Sequence, residues 1–342
     1  GDFGTRRSCG THQAIHECPL VCKGKMEPSS LSSGGEARDP WNQLAWQPTC
    51  CPCWPRLAPP GPTCPHPTPK KLLFCCDNDI PFVYTPCPLA GATAPTTLAG
   101  LLVQALAESL FGIVLSQLRK PGSQLIIGGL MSNMDMLSTI YCYGSPEMAL
   151  LSAGYTDITK WLRVPEYETA GCSDAKLFDE QAAMEVAINI ATAGLIGGNM
   201  IHDVGYLDSG LTSCIELMVA SDEIIDMVKR ILRGIPVTPE TIALDVMREV
   251  GPGGHFMEHD HTYKRFKEEI WRPKLIDRQN WENWNLAGGK RHGERVHERV
   301  IEILETETEP LLDESMFKEM RRICELADAR HKDEELDVKM FV

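Results

Sequence analysis

The stretch Pro165-Glu-Tyr-Glu-Thr-Ala-Gly-Cys-Ser-Asp174 decides the fold, together with the helical pattern that runs from Asp179 to Leu195 and the short apolar run Asn199-Met-Ile-His202. A strand, a loop, a helix and a second strand follow one another here. Strands that alternate with helices of this length predict a parallel sheet with right-handed crossovers.

The same unit occurs on both sides of this stretch. Strands are predicted at 80–84, 124–127, 165–169 and 199–202, and helices at 72–76, 95–118, 145–162, 179–195 and 211–232. Ser145 before Pro146 and Glu147 is a typical helix start. Cys87, Gly128 with Gly129, residues 171–174 and His202 with Asp203 all follow strands, and barrel enzymes assemble their sites at this end of the strands. We therefore expect an α/β fold of the (β/α)8 TIM-barrel type. Only part of the barrel is represented, since four units are half of eight.

Beyond Pro236 the pattern changes to helices alone. They are predicted at 238–250, 258–271, 278–286, 290–305 and 314–329, with Gly251-Pro-Gly-Gly254 ending the first. The chain is thus expected to have three parts: 1–71, a βα-repeat domain over 72–235, and a helical C-terminal region over 236–342.

The first 71 residues differ from the rest in composition. They contain half of the 24 prolines and seven of the 14 cysteines, without a periodic apolar face. Three interpretations stay open: a small zinc module built from Cys18, Cys22 and later cysteines, a disordered proline-rich tail, or an out-of-frame translation joined to a genuine sequence.

Composition limits the function. The 342 residues are 43% hydrophobic and carry a net charge of −14, which excludes a wholly disordered chain and disfavours nucleic acid as a partner. The longest apolar stretch, Leu101 to Leu118, is interrupted by Gln104, Glu108 and Gln117, so no membrane span is expected. We expect a cytoplasmic protein.

Cys172 lies on a loop that leads into a helix, where a helix N-terminus would favour its thiolate. It is either a nucleophile or a buried pocket residue, and no histidine adjacent in sequence activates it. Ser173 and Asp174 follow it, and Asp174 and Lys176 either cap the helix or face the pocket.

His202 and Asp203 form the stronger candidate pair. A histidine beside a carboxylate at a strand end can act as acid, base or cation ligand, or it can be a buried histidine bonded to the backbone. Tyr206 and the carboxylates of Asp203, Asp208 and Glu216 could hold a substrate cation by charge and by an aromatic face. His255, His259 and His261 have metal-like spacing, but a solvated helix start explains them equally, and we expect no metal.

Several motifs in order resemble the trimethylamine methyltransferase family, over about residues 72–329. They are Pro86-Cys-Pro-Leu-Ala-Gly-Ala-Thr-Ala-Pro95, Thr169-Ala-Gly-Cys-Ser-Asp-Ala-Lys176, His202-Asp-Val-Gly-Tyr-Leu-Asp-Ser-Gly-Leu-Thr212, Asp222-Glu-Ile-Ile225 and Gly251-Pro-Gly-Gly-His-Phe256. Members of that family move a methyl group from an amine to a corrinoid protein. Family members that use trimethylamine carry pyrrolysine at the motif where this chain has Cys172. The chain therefore looks like the branch without pyrrolysine, which demethylates quaternary amines such as glycine betaine.

The resemblance implies roles for particular residues. His202 and Asp203 are expected to be catalytic, and His255 and Gly254 to contact the corrinoid. The residues expected to bind substrate are Cys172, Ser173, Asp174, Tyr206, Gly128 and Gly129.

The resemblance also implies the partners. The chain would hold no cofactor tightly, because the cobalamin belongs to a partner corrinoid protein. The substrate would be a small methylated amine, and a homo-oligomer is left open. Two alternatives compete with this function: an inactive remnant or corrinoid-protein-binding fragment, and a barrel enzyme that uses Cys172 as nucleophile with His202 as base.

Overall fold

The computed structural model describes residues 67–306 and 312–331. Two compact units divide after Glu298. The change at residue 236 from βα units to helices alone lies within the first unit. The three interpretations of residues 1–71 concern positions that lie almost wholly outside the described part of the chain.

The described elements alternate as the sequence predicts. The strands are β1 (Phe82–Tyr84), β2 (Leu89–Ala90), β3 (Leu125–Gly129), β4 (Ser132–Asn133), β5 (Glu166–Thr169), β6 (Met200–His202), β7 (Tyr206–Leu207) and β8 (Thr212–Ser213). The helices are α1 (Pro67–Asp77), α2 (Leu98–Arg119), α3 (Pro146–Leu162), α4 (Glu180–Ile196), α5 (Ile215–Leu232), α6 (Pro239–Ile242), α7 (Leu244–Val250), α8 (Asp260–Glu269), α9 (Trp281–Leu286), α10 (His292–Glu305) and α11 (Glu314–His331).

The main sheet has four parallel strands in the order β1-β3-β5-β6. Val83 pairs with Ile126, Gly128 with Tyr167, and Thr169 with His202. The spatial order follows the chain order without a reversal, which differs from a doubly wound dinucleotide fold. The parallel α/β prediction is confirmed, and closure into an eight-stranded barrel stays a prediction.

The crossover helices share one face of this sheet. Ile127 packs against Leu101 of α2 and Leu151 of α3, and Ile201 packs against the α4–α5 cluster. Strand register places Ile127, Glu166, Glu168 and Ile201 on this same face. The opposite face therefore carries Ile126, Gly128, Tyr167, Thr169 and His202.

Local signals fixed two helix starts as predicted. The Ser145 hydroxyl accepts a hydrogen bond from the Met148 N–H, and the Asp179 carboxylate accepts one from the Ala182 N–H. Each side chain satisfies an N–H that the first turn leaves without a partner.

Two predicted helices were wrong in part. The helix expected from Leu211 begins only at Ile215, because Thr212 and Ser213 pair with β7 in a hairpin. The helix expected over 238–250 is interrupted at Ala243, whose φ of 54° belongs to the left-handed region and ends α6.

Helix α2 is, within the described ranges, one helix that is long and apolar enough to cross a membrane by length and composition. The sequence expectation of no membrane span stays a prediction. Helix α2 buries residues at the spacing of a helix packed with one face on a sheet: Leu101, Ala105, Ser109, Gly112 and Ser116. Its other face exposes large apolar side chains, among them Val103, Phe111 and Val114.

Glu223 of α5 anchors the helical C-terminal segment. Its buried carboxylate accepts hydrogen bonds from the backbone N–H groups of Lys274, Leu275 and Ile276. Arg230 and Arg233, near the C-terminal end of α5, donate hydrogen bonds to the carbonyls of Glu269 and Glu268. Residues 268–276 thus run along α5 from its C-terminal end to its middle.

Candidate functional site

Three strands of the main sheet bring polar side chains to one edge: Cys87 follows β1, Cys172 follows β5, and His202 ends β6 with Asp203 directly after it. The long loop after β4 adds Tyr141 and Tyr143. Burial raises the pKa of both tyrosines, and they lie close enough to Cys87 and Cys172 for those groups to raise it further. Carboxyl ends of parallel strands meet at the same edge, which is where α/β enzymes place their sites. We call these six residues the strand-end site.

His202 is held from both sides of its ring. Its Nδ1 lies 2.7 Å from Oδ1 of Asp203, and its Nε2 lies 3.1 Å from Oγ1 of Thr169. A carboxylate only accepts hydrogen bonds, so Nδ1 carries a proton, while Nε2 and the Thr169 hydroxyl share the second hydrogen bond. The ring also stacks on Tyr167, with centroids 3.7 Å apart and planes 12° apart.

Asp203 is the exposed member of this pair. Its side chain is 25% exposed, against 6% for His202, so its carboxylate is the more accessible of the two groups. Its backbone has a φ of 71°, a left-handed conformation that is uncommon outside glycine and is concentrated at functional sites. The Cys172 thiol donates to the Asp203 carbonyl oxygen at 2.9 Å and helps to hold this conformation.

Cys172 is not the thiolate that its loop position suggested. The side chain is buried, and burial, with the charges of Asp203 and Asp174, raises its pKa well above the usual range. The residue also lies seven positions before the helix cap Asp179, outside the first turn where a helix N-terminus acts. Both His202 nitrogens already have partners. The geometry therefore opposes a Cys172–His202 nucleophile pair.

Ser173 and Asp174 hold loops together. The Ser173 hydroxyl donates to Glu185, and the Asp174 carboxylate accepts hydrogen bonds from the backbone N–H groups of Tyr143 and Gly144. Ser209 donates to the same carboxylate. The structure thus gives both residues scaffolding contacts, although sequence reasoning assigned them to substrate.

Tyr143 and Tyr167 lie close enough to Asp203 for its charge to raise their pKa beyond the effect of burial, and Tyr141 packs against Tyr143. Tyr141 and Tyr143 lie with ring centroids 4.7 Å apart, and the Tyr141 hydroxyl donates to the Leu130 carbonyl. Burial raises the pKa of Tyr143, and Asp203 adds to this effect. Burial likewise raises the pKa of Tyr167, again with a contribution from Asp203. The backbone of Tyr206 pairs with that of Cys172 in an isolated parallel β-bridge, and the Tyr206 side chain is partly exposed.

Gly128 and Gly129 serve packing. A Cβ at Gly128 would overlap the Tyr167 carbonyl oxygen, and a Cβ at Gly129 would overlap the Met131 side chain. The strand pairing of β3 with β5 therefore requires glycine at 128, where sequence reasoning assigned a substrate contact.

His255 and Gly254 are exposed on the loop between α7 and α8. The C-terminal end of α8 is joined to the C-terminal end of α5 by Arg230 and Arg233. Within the described residues no hydrogen bond or ion pair joins His255 or Gly254 to the strand-end site, and their contact with a corrinoid stays a prediction. His259 caps α8 by accepting from the His261 N–H.

Sequence reasoning missed three aromatic residues and one hydroxyl: Tyr141, Tyr143, Tyr167 and Thr169. A signal existed for two of them, since Tyr167 and Thr169 alternate along β5 and so face the same side as His202. No local pattern marks Tyr141 and Tyr143, which reach the site through a long loop.

The fold and site together define a class: a parallel α/β protein with an acidic, tyrosine-lined site at the carboxyl ends of its strands. Residues 63–331 match the family model described as trimethylamine methyltransferase (MTTB). The chain belongs to this family.

Named relatives agree with the match. The chain is 37% identical over 237 residues to trimethylamine methyltransferase MttB of Desulfitobacterium hafniense (strain DSM 10664 / DCB-2), covering 69% of this chain and 48% of the relative. It is 34% identical over 240 residues to MttB of Methanosarcina barkeri, covering 70% and 48%. A glycine betaine methyltransferase of D. hafniense (strain Y51) is 34% identical over 226 residues, covering 66% and 47%. The chain thus spans about half the length of the curated relatives that it matches.

Proposed function

We propose that this chain contributes the substrate site of a methyltransferase that takes a methyl group from a methylated ammonium compound. The observation that carries the proposal is the Asp203 carboxylate, which is hydrogen-bonded to His202 and whose charge raises the pKa of Tyr143 and of Tyr167. The names of the relatives support the same substrate class.

A methylated ammonium ion suits such a site on physical grounds. It has no N–H to donate when fully methylated, so it is recognised by charge and by aromatic faces. Neutral tyrosines keep the electron-rich face that attracts a cation, and the raised pKa of Tyr143 keeps that side chain protonated. Asp203 would balance the substrate charge.

His202 acts in this proposal as a positioning residue. Its Nδ1–H holds the Asp203 carboxylate and its Nε2 is hydrogen-bonded to the Thr169 hydroxyl, so both ring nitrogens are engaged by groups of this chain. A quaternary ammonium leaves as a neutral amine, and methyl transfer then depends on alignment more than on proton transfer. This differs from the catalytic role that the sequence suggested for His202.

The methyl acceptor in this proposal is the corrinoid of a separate protein, whose reduced cobalt supplies a nucleophile. His255 and Gly254, which are exposed on the loop between α7 and α8, stay the residues predicted to contact that group. The residues of this chain would bind and orient the amine and leave its methyl group accessible to the acceptor.

The test is methyl transfer to chemically reduced free cobalamin. The purified chain is mixed with reduced cobalamin and one of several trimethylammonium compounds. Methylcobalamin is followed by its absorbance, and the tertiary amine product, which has one methyl group fewer, is identified by mass spectrometry. Asp203→Asn should lower the rate at least about tenfold, since it removes the charge facing the substrate. The matched control is Asp157→Asn, which changes an exposed aspartate on α3.

Two results would overturn the proposal. One is the absence of methyl transfer from every compound by a folded chain, which would favour the non-catalytic fragment. The other is an equal rate in Asp203→Asn and in Asp157→Asn, which would remove Asp203 from the site.

A further inference from the structure

We infer that the strand-end site selects methylated ammonium ions that lack a carboxylate over betaines, and that Asp203 is the group that makes this selection. This rests on the proposed function and narrows its substrate class. It also departs from the betaine-like substrate that the family resemblance suggested.

The first support is the sign of the charges at the site. The charges of Asp203 and Asp174 both raise the pKa of Cys172 and of Tyr143, and the charge of Asp203 raises the pKa of Tyr167. In each case a carboxylate opposes formation of an anion on the neighbouring side chain. The same field would attract the ammonium group of a substrate and repel a substrate carboxylate.

The second support is the position of the basic residue on this loop. Lys176 is mostly exposed, and its Nζ donates to the Asp174 carbonyl and lies 3.5 Å from Asp208. It is thus held by groups of its own chain. His202 directs its Nδ1 at Asp203, so it neutralises no further anion.

The third support is the difference in exposure and hydrogen-bond partners between the carboxylates of Asp203 and Asp174. Its carboxylate is partly exposed, whereas the Asp174 carboxylate is occupied by the N–H groups of Tyr143 and Gly144. Asp203 is therefore the acid of this pair whose carboxylate is partly exposed and is not taken up by backbone N–H groups. Its fixed backbone holds the charge in place without help from the ligand.

The experiment compares ligands that differ in one charge. Isothermal titration calorimetry on the purified chain measures binding of glycine betaine and of glycine betaine methyl ester, which share the trimethylammonium group, with choline as a second uncharged-tail ligand. We expect the ester and choline to bind on the order of tenfold or more tightly than glycine betaine. No corrinoid is needed for this readout.

The variant Asp203→Asn isolates the selecting group. Asparagine tolerates the left-handed backbone at this position and still accepts from His202 Nδ1, so folding should be kept. We expect the ester and choline to lose affinity and the preference over glycine betaine to fall to within about twofold. Asp157→Asn should keep the preference of the unchanged chain.

The outcomes separate this inference from the proposed function. Glycine betaine binding as tightly as its ester, or a preference that survives in Asp203→Asn, overturns the inference while methylated ammonium binding still supports the function. Failure of all three ligands to bind overturns both.

Discussion

Two buried glutamates beneath the site should make the stability of this chain fall as the pH rises. Glu166 and Glu168 of β5 face α3, and each is only 2% exposed. Thr159 donates a hydrogen bond to Glu166, and Ser152 donates one to Glu168. The charge of Lys160 lowers the pKa of both carboxyl groups. Burial nevertheless raises the pKa of Glu166 to about 8 and that of Glu168 to about 7.

The sign follows from proton binding. Between the ordinary glutamate pKa of 4.5 and the raised value, the folded chain holds more protons than the unfolded chain, so stability falls as the pH rises through this window. For Glu168, with about 1.4 kcal/mol for each pKa unit, the loss amounts to about 3 kcal/mol once the pH exceeds 7. Stability from this source is complete below pH 4.5.

The perturbation is Glu168→Gln, which keeps the shape of the side chain and removes its titration. Urea unfolding followed by circular dichroism, at steps from pH 5 to pH 8.5, gives the free energy of unfolding at each pH. The variant should lose about 3 kcal/mol less than the unchanged chain over this range. The loss of stability that arises from Glu166 should also be smaller in the variant, because the charge of Glu168 helps to raise the pKa of Glu166.

The matched control is Glu258→Gln, which changes an exposed glutamate. It should follow the pH dependence of the unchanged chain. Parallel curves for Glu168→Gln and the unchanged chain would refute the reasoning, because they would mean that Glu168 does not take up a proton on folding in this pH range.

Three further predictions follow from particular contacts. Cys172 should resist iodoacetamide at pH 8 until the chain is unfolded, as measured by mass spectrometry, because its thiol is buried and its pKa is raised; prompt alkylation in the folded chain would contradict this. Glu223→Gln should weaken the anchor of residues 274–276 by about 2–3 kcal/mol and speed hydrogen exchange at those three amides; unchanged exchange would show that the carboxylate does not hold them. Gly128→Ala should lower stability by about 1–3 kcal/mol in urea unfolding, because the added methyl group meets the Tyr167 carbonyl; an unchanged midpoint would mean that β3 and β5 can separate at no cost.

The local part of the fold could be predicted because short-range chemistry decides it. Ser145 and Asp179 cap their helices within three residues, and the alternation of short apolar runs with helical patterns gave the parallel α/β class. The errors occurred where distant contacts compete with local preference. Thr212 and Ser213 pair with β7 instead of extending α5, and Ala243 takes a left-handed conformation that no residue preference indicates.

The candidate site shows the same division. Its strand-end residues, including His202, Asp203 and Cys172, could be listed from the sequence because each follows a strand. Their roles could not. Asp174 accepts hydrogen bonds from N–H groups 30 and 31 residues earlier in the chain, and His202 is fixed by Thr169, 33 residues away.

The sequence by itself determined the order of the main strands and helices and the edge of the sheet where polar residues gather, since these depend on periodicity and on neighbours along the chain, and the resemblance of its motifs indicated the family. Only the tertiary structure decided that Cys172 is a buried thiol, that Asp203 is the partly exposed charge and that Glu166 and Glu168 are buried against α3. Burial and the field of distant charges set the protonation of these groups, and both arise only when strands and helices pack together.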